Sequence, residues 1–215
     1  SQLKRRIYKI NSNIDEAISS VKIQKEFWEQ QEKVNQLVEL HYESIRLRIK
    51  IGKARSEENI KLIDSFIQHE LLQNIPKNDS YQVQFQFWET YCNYYFIKDK
   101  KQKELEANQA LVDLIEKHPQ FKKDEPLNHL VFCTRILAIQ RNLYPEKFWE
   151  NLEKYRALNQ GFSKQRLQAE SIIFIFSYNY EMDFYINNKQ WEKALVALPL
   201  ITKGLKKYDS YIREP

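Results

Sequence analysis

Glycine occurs three times in 215 residues and proline six times, where average usage gives roughly 15 and 11. Folds that depend on many tight turns are disfavoured by that scarcity. With glycines only at 52, 161 and 204, no glycine-rich loop can cradle a phosphate. Cysteine occurs twice. Cys92 and Cys133 lie in apolar and aromatic stretches without metal-like spacing, which predicts reduced core thiols in a cytoplasmic protein rather than a disulfide. The four histidines, His41, His69, His118 and His129, share no i, i+4 partner, and no HExxH site, EF-hand loop or CxxC pair is present. His118, followed by Pro119, reads as a helix end, where a cation meets the negative end of the dipole. A Ser, His and acid triad has no local signature. These absences predict a protein without catalytic residues, metal or cofactor.

Long hydrophobic runs are also missing. Ile172 to Phe176 and Ala194 to Ile201 fall far short of the ~20 residues that cross a bilayer, so no membrane span is expected. Ser1 to Arg6 are mostly polar and basic with no long apolar stretch behind them, and no signal peptide is expected there.

What is present is apolar and aromatic surface: 42% hydrophobic and 13% aromatic residues beside 29% charged. That composition disfavours disorder. The length suits one sizeable domain or a run of stacked repeats. A formal charge of +5 permits a nucleic-acid partner without demanding one.

Leu3, Ile7, Ile10, Ile14, Ala17 and Val21 recur at alternating intervals of four and three, the spacing of a helical seam. One face of an N-terminal amphipathic helix, residues 1–25, must therefore be covered, and a homo-oligomer through this seam is one way to cover it. Asn11, Ser12 and Asn13, followed by Asp15 and Glu16, form a capping signal, so a break is expected there in preference to one long helix. The next stripe runs Phe27, Val34, Val38, Tyr42, Ile45 and Ile49. Gly52 then supplies a stop and Ser56 with Glu58 a restart. A third helix carries Ile60, Ile63, Ile67 and Leu71 on one face and ends before Pro76.

From Asp79 onward the chain reads as paired segments: Ser80 to Ile97 with Lys101 to Lys117, Pro126 to Asn142 with Pro145 to Leu158, and Ser163 to Asn187 with Gln190 to Lys207. Pro145 suits the first turn of a helix. The second members begin near residues 57, 102, 146 and 190, a period of about 44 that reads as two-helix units. Two runs argue locally for strands: Tyr81, Val83, Phe85 and Phe87 alternate with glutamines, and Phe176, Tyr178, Tyr180 and Met182 with polar residues. The second belongs to a longer apolar stretch than a strand usually spans, and a helix packed on two faces explains it. The expected fold is all-α, an α-solenoid of about four antiparallel helix pairs (about 26–75, 80–118, 126–159 and 163–208) within a repeat domain over residues 26–215.

Tyr178 and Tyr185, followed by Trp191, Ala194, Leu198 and Ile201, resemble the paired helices of a degenerate tetratricopeptide repeat. Tyr91, Ala107, Leu111, Leu114 and Pro119 look similar, and Phe148, Asn151, Tyr155 and Leu158 match more poorly. Met182 and Tyr95 replace the glycine usual in the first helix, Lys189 and Gln102 the glycine of the turn. Pro199 falls inside the last helix, where it should kink or shorten it. The resemblance covers about residues 80–208 and points to the divergent, aromatic-rich helical-repeat proteins common in bacteria. It implies a scaffold that grips a protein or peptide partner in an inner groove. The groove positions of the repeat fall on Glu89, Asn93 and Phe96 in one unit and on Asn179, Tyr180 and Asp183 in another, with Arg141 beside them. Polar residues on such aromatic helices either face a groove or are buried and hydrogen-bonded within the stack.

The alternative partner is nucleic acid, through basic clusters at Lys4 to Arg6, at Lys98, Lys100, Lys101 and Lys103, at Lys122 and Lys123, and at Lys203, Lys206 and Lys207. Lysines that solvate turns and helix C-termini explain these clusters better than a phosphate track does, because base-reading arginines are not concentrated there.

Overall fold

The computed structural model describes residues 2–158 and 166–213, with side chains from 13 to 158 and from 166 to 211. Gly161, the expected start of the last pair at Ser163, the side chains of Leu3, Ile7 and Ile10, and the basic cluster Lys4 to Arg6 lie outside these. Every regular element among the described residues is helical: α1 (Gln2–Ile51), α2 (Glu57–Phe66), α3 (Tyr81–Ile97), α4 (Lys101–Lys117), α5 (Pro119–Asp124), α6 (Pro126–Leu143), α7 (Phe148–Ala157), α8 (Arg166–Asn187), α9 (Trp191–Lys207) and α10 (Asp209–Arg213). Short 3₁₀ turns lie at Glu70–Leu72 and Pro145–Lys147. Both alternating runs are helical, inside α3 and α8. The chain divides into two compact units, Ser1–Lys98 and Asp99–Pro215.

In the first unit the expected break at Asn11 to Glu16 does not occur, and α1 runs unbroken for 50 residues. An Asn or Ser inside a helix disfavours it by no more than about 0.7 kcal/mol, too little to interrupt it. Gly52 ends α1 with φ +63°, and Ser56 caps α2 by accepting the Asn59 N–H. α2 stops at Phe66, earlier than expected, and the chain reaches Pro76 through a 3₁₀ turn. The core forms where the second half of α1 packs on α3: Leu37 with Ile67, Leu72, Val83 and Phe87, then Leu47 with Ile63 and Ile97.

The buried face of α1 differs from the expected stripe. Tyr42 and Ile49 are solvent-exposed, while Leu37, Ser44 and Leu47 are buried and His41 and Arg48 turn toward α3. The covered seam is part polar, so a count of apolar residues alone places it one position off.

In the second unit α4 packs on α6, α6 on α7, and α8 on both α7 and α9. Leu130, Leu137, Phe148, Leu152, Tyr155, Ala169 and Ile173 make the core, and Phe148 stacks flat on Phe184 with ring centroids 4.7 Å apart. The Tyr155 hydroxyl lies 2.7 Å from that of Thr134. Pro199 sits inside α9 without shortening it, since the helix reaches Lys207 as expected. At Gly204 the helices meet closely, for a Cβ there would lie 2.0 Å from the Phe174 ring.

α8 closes in a Schellman motif: the Gln190 N–H donates to the Tyr185 carbonyl at 2.8 Å and the Lys189 N–H to that of Ile186 at 3.1 Å. Lys189 takes the left-handed conformation at φ +56°. The turn thus has the geometry of a glycine without the glycine.

Candidate functional site

The polar positions of α3 are engaged inside the first unit. Glu89 lies 3.5 Å from the His41 imidazole of α1, with both side chains largely buried. Asn93, 4% exposed, donates to the Ser44 hydroxyl at 3.0 Å and accepts from the Arg48 guanidinium at 3.0 Å. Phe96 carries Arg48 at 4.0 Å and the Lys53 ammonium at 3.7 Å from its ring centre. The face that the repeat pattern assigns to a ligand is covered here by the chain's own α1.

In the second unit the matching positions reach the surface. Arg141 of α6 donates to Asp183 of α8 at 2.8 Å and lies 4.9 Å from the centre of the Tyr180 ring. Asn179 is exposed one helical turn from Asp183. Three of these four residues, Arg141, Tyr180 and Asp183, therefore form one contiguous group.

On another side of α8 lies a groove of about 460 Å³ between α7, α8 and α9, bordered by Arg156, Tyr178, Glu181, Tyr185, Val196 and Leu200. Its polar floor is preorganised. Arg156 donates to Glu181 and, at 2.9 Å, to Glu153, and it lies 5.1 Å from the centre of the Tyr178 ring. The Tyr185 hydroxyl donates to Glu181 at 2.9 Å. Burial, aided by the Glu181 carboxylate, pushes the Tyr185 phenol up to about 12, so it stays a neutral donor. The opposite wall, on α9, carries Val196 at 75% and Leu200 at 56% exposure, with Glu192 and Lys193 at its end.

This wall was not legible from the repeat pattern, which turns Trp191, Ala194, Leu198 and Ile201 inward. Of the four, Ala194 is buried, Trp191 and Leu198 are exposed, and Ile201 is intermediate. The usable signal was the run from Ala194 to Ile201 itself. A helix apolar around its circumference cannot bury every side against one neighbour.

One Cys and His pair tests for catalysis. The Cys133 sulfur lies 3.9 Å from Nε2 of His129, and the same nitrogen lies 3.3 Å from Glu116. A nucleophile and an orienting acid need different ring nitrogens of the base. Burial, with the Glu116 charge, holds the Cys133 thiol up at about 11, and burial lowers the His129 pKa. The sulfur remains a protonated thiol at neutral pH. Among the described residues no group of three or more His, Cys, Asp or Glu side chains is placed to hold a metal ion, and no helix is long and apolar enough to cross a membrane.

No family model, no curated protein and no solved structure matches this chain.

Proposed function

We propose that the protein is a non-catalytic helical scaffold that holds a protein or peptide partner against α8 and α9, its helix pairs serving as the units of a solenoid. The observation that carries this reading is the groove in which exposed Val196 and Leu200 face the network of half-buried Arg156 and Tyr185 on buried Glu181. Scattered exposed apolar residues are ordinary, but a contiguous set rimmed by charge marks a binding surface. Such a wall suits the apolar side chains of a helix or of an extended segment. The floor is already hydrogen-bonded, so little side-chain freedom is lost on binding. The Arg141 and Asp183 pair over Tyr180, with Asn179, gives the same helix a second, polar contact surface.

A photocrosslinking residue at Val196, set against one at exposed Glu106 of α4, tests the reading in the native cell. The expected result is a discrete protein adduct from position 196 that Leu200→Glu abolishes. No adduct, or the same adduct from position 106, overturns it.

The basic clusters support nucleic acid less, because several of their lysines are engaged within the fold: Lys98 with Asp64 at 2.9 Å, Lys101 with Glu104 at 2.9 Å and Lys207 with Glu170 at 3.0 Å. Duplex DNA or RNA at physiological salt should bind no tighter than the ~10⁻⁴ to 10⁻⁶ M of nonspecific electrostatics. A nanomolar titration would replace the scaffold reading.

A further inference from the structure

Every residue from Asn13 to Glu32 of α1 is exposed, although the segment carries Ile14 at 51%, Val21 at 64% and Trp28 at 65% exposure. A helix draws most of its stability from packing an apolar face, and here that face is left in water. This face is ordered as a repeat. Ile14, Val21 and Trp28 stand seven residues apart, with Ala17, Gln24 and Gln31 three residues after each. Upstream, Leu3, Ile7 and Ile10 continue the same register in sequence. Seam positions 3.5 residues apart on average from Leu3 to Trp28, apolar except at Gln24, are the pattern of a supercoiled pair.

The polar residues show what kind of partner fits. With Ile14, Val21 and Trp28 at the a positions, the charges of Asp15, Glu16, Lys22, Glu26 and Glu29 fall on the outer b, c and f positions. The e and g positions flanking the seam hold Asn13, Ile18, Ser20, Lys25, Phe27 and Glu32. In a parallel pair each g residue meets the e residue five positions on in the other helix, which gives Asn13 with Ile18, Ser20 with Lys25, and Phe27 with Glu32. No contact sets like charges together, and Ile18 and Phe27 widen the apolar strip. Ile7, Ile14 and Val21 at a are the β-branched residues that two-stranded coils use there, and polar seam residues such as Gln24 and Gln31 fix register. A seam with Ile14, Val21 and Trp28 at a, with Gln24 and Gln31 at d where amides both donate and accept, and with no like charges facing at its edges is complementary to an identical seam in the same register.

We propose that a second copy of this chain covers this face, so that two α1 helices form a parallel coiled coil over residues 13–32, continued upstream by the same register. The proposal is independent of the groove at α8 and α9.

The test uses the whole chain. Sedimentation equilibrium over a concentration series should give twice the 26.1 kDa mass of one chain. Ile14→Glu with Val21→Glu should shift that mass to the monomer, while Ile23→Glu, equally exposed but on the outer c position, should leave it unchanged. Circular dichroism on each variant checks that the packed remainder of the chain stays folded. Val21→Cys should oxidise to a covalent dimer, since an a residue meets its own counterpart only in a parallel, in-register pair, and Ile23→Cys should not. A monomeric wild-type chain overturns the proposal. So does a dimer that survives the Ile14 and Val21 substitutions, which places the contact elsewhere, or a larger multiple of the chain mass. A dimer that Val21→Cys fails to cross-link overturns the parallel arrangement.

Discussion

Helices α3 and α8 carry the same kind of sequence, aromatic runs interrupted by amides and carboxylates, and their polar residues meet different fates. On α3, Glu89 and Asn93 meet His41, Ser44 and Arg48 of α1 and are shielded from water. On α8, Asn179 is exposed and Asp183 half exposed, its partner Arg141 also reaching solvent. The difference lies in how far a helix that carries polar groups covers them, since Arg141 of α6 meets Asp183 at the solvent edge. α1 supplies three such groups, so an amide that reads as a ligand contact becomes part of the core. A polar residue on an aromatic helix is thus informative only together with the helix that covers it.

The largest expected effect comes from α3. Asn93→Ala removes two hydrogen bonds and leaves Arg48 and Ser44 short of a buried partner, which should lower the unfolding free energy by about 1 to 3 kcal/mol. Urea unfolding measures it, and a wild-type midpoint would mean that α1 does not cover α3. Ser44→Ala in a double-mutant cycle should show coupling with Asn93 of about 0.5 kcal/mol or more.

An intermediate effect is expected at the base of α8, where Glu170 is buried yet fully partnered. Hydrogen bonds from Arg166, Lys207 and Tyr208 hold its carboxyl down at about 2. A pKa lowered on folding stabilises the fold above the unfolded value near 4.3. That stability is lost as the pH falls from there toward 2. Glu170→Gln should flatten the melting temperature over that window, and unchanged acid sensitivity would show that Glu170 does not carry it. The smallest effect is reserved for Asn179→Ala with Asp183→Ala. A solvent-exposed ion pair contributes about 0.2 to 1 kcal/mol, so the melting temperature should hardly move. A loss of several degrees would place these two residues with Asn93 and erase the contrast between the helices.

Most of the helical boundaries were legible because their signals are local. Ser56, Gly52, Ser80, Pro126 and Pro145 mark the chain where the elements start or stop. Faces were harder to read. The covered side of α1 was missed by one position because His41, Ser44 and Arg48 occupy half of it, and their partners on α3 lie some 45 residues away in sequence. The groove beside α9 was missed because its apolar residues surround the helix and give no preferred side. Of the surface on α8, the residue types were legible and the Arg141 to Asp183 pairing was not, since it joins residues 42 apart.

The connector at Lys189 offers a handle on heat resistance apart from the groove and from the α1 seam. A left-handed backbone disfavours an L side chain by roughly 1 to 2 kcal/mol, whereas the freer unfolded chain of a glycine variant costs about 0.4 to 1 kcal/mol. Lys189→Gly therefore comes out level or slightly stabilising, against the usual expectation that adding glycine softens a protein. Its scarcity leaves this chain with room for thermal improvement at a turn that neither the groove nor the α1 seam uses.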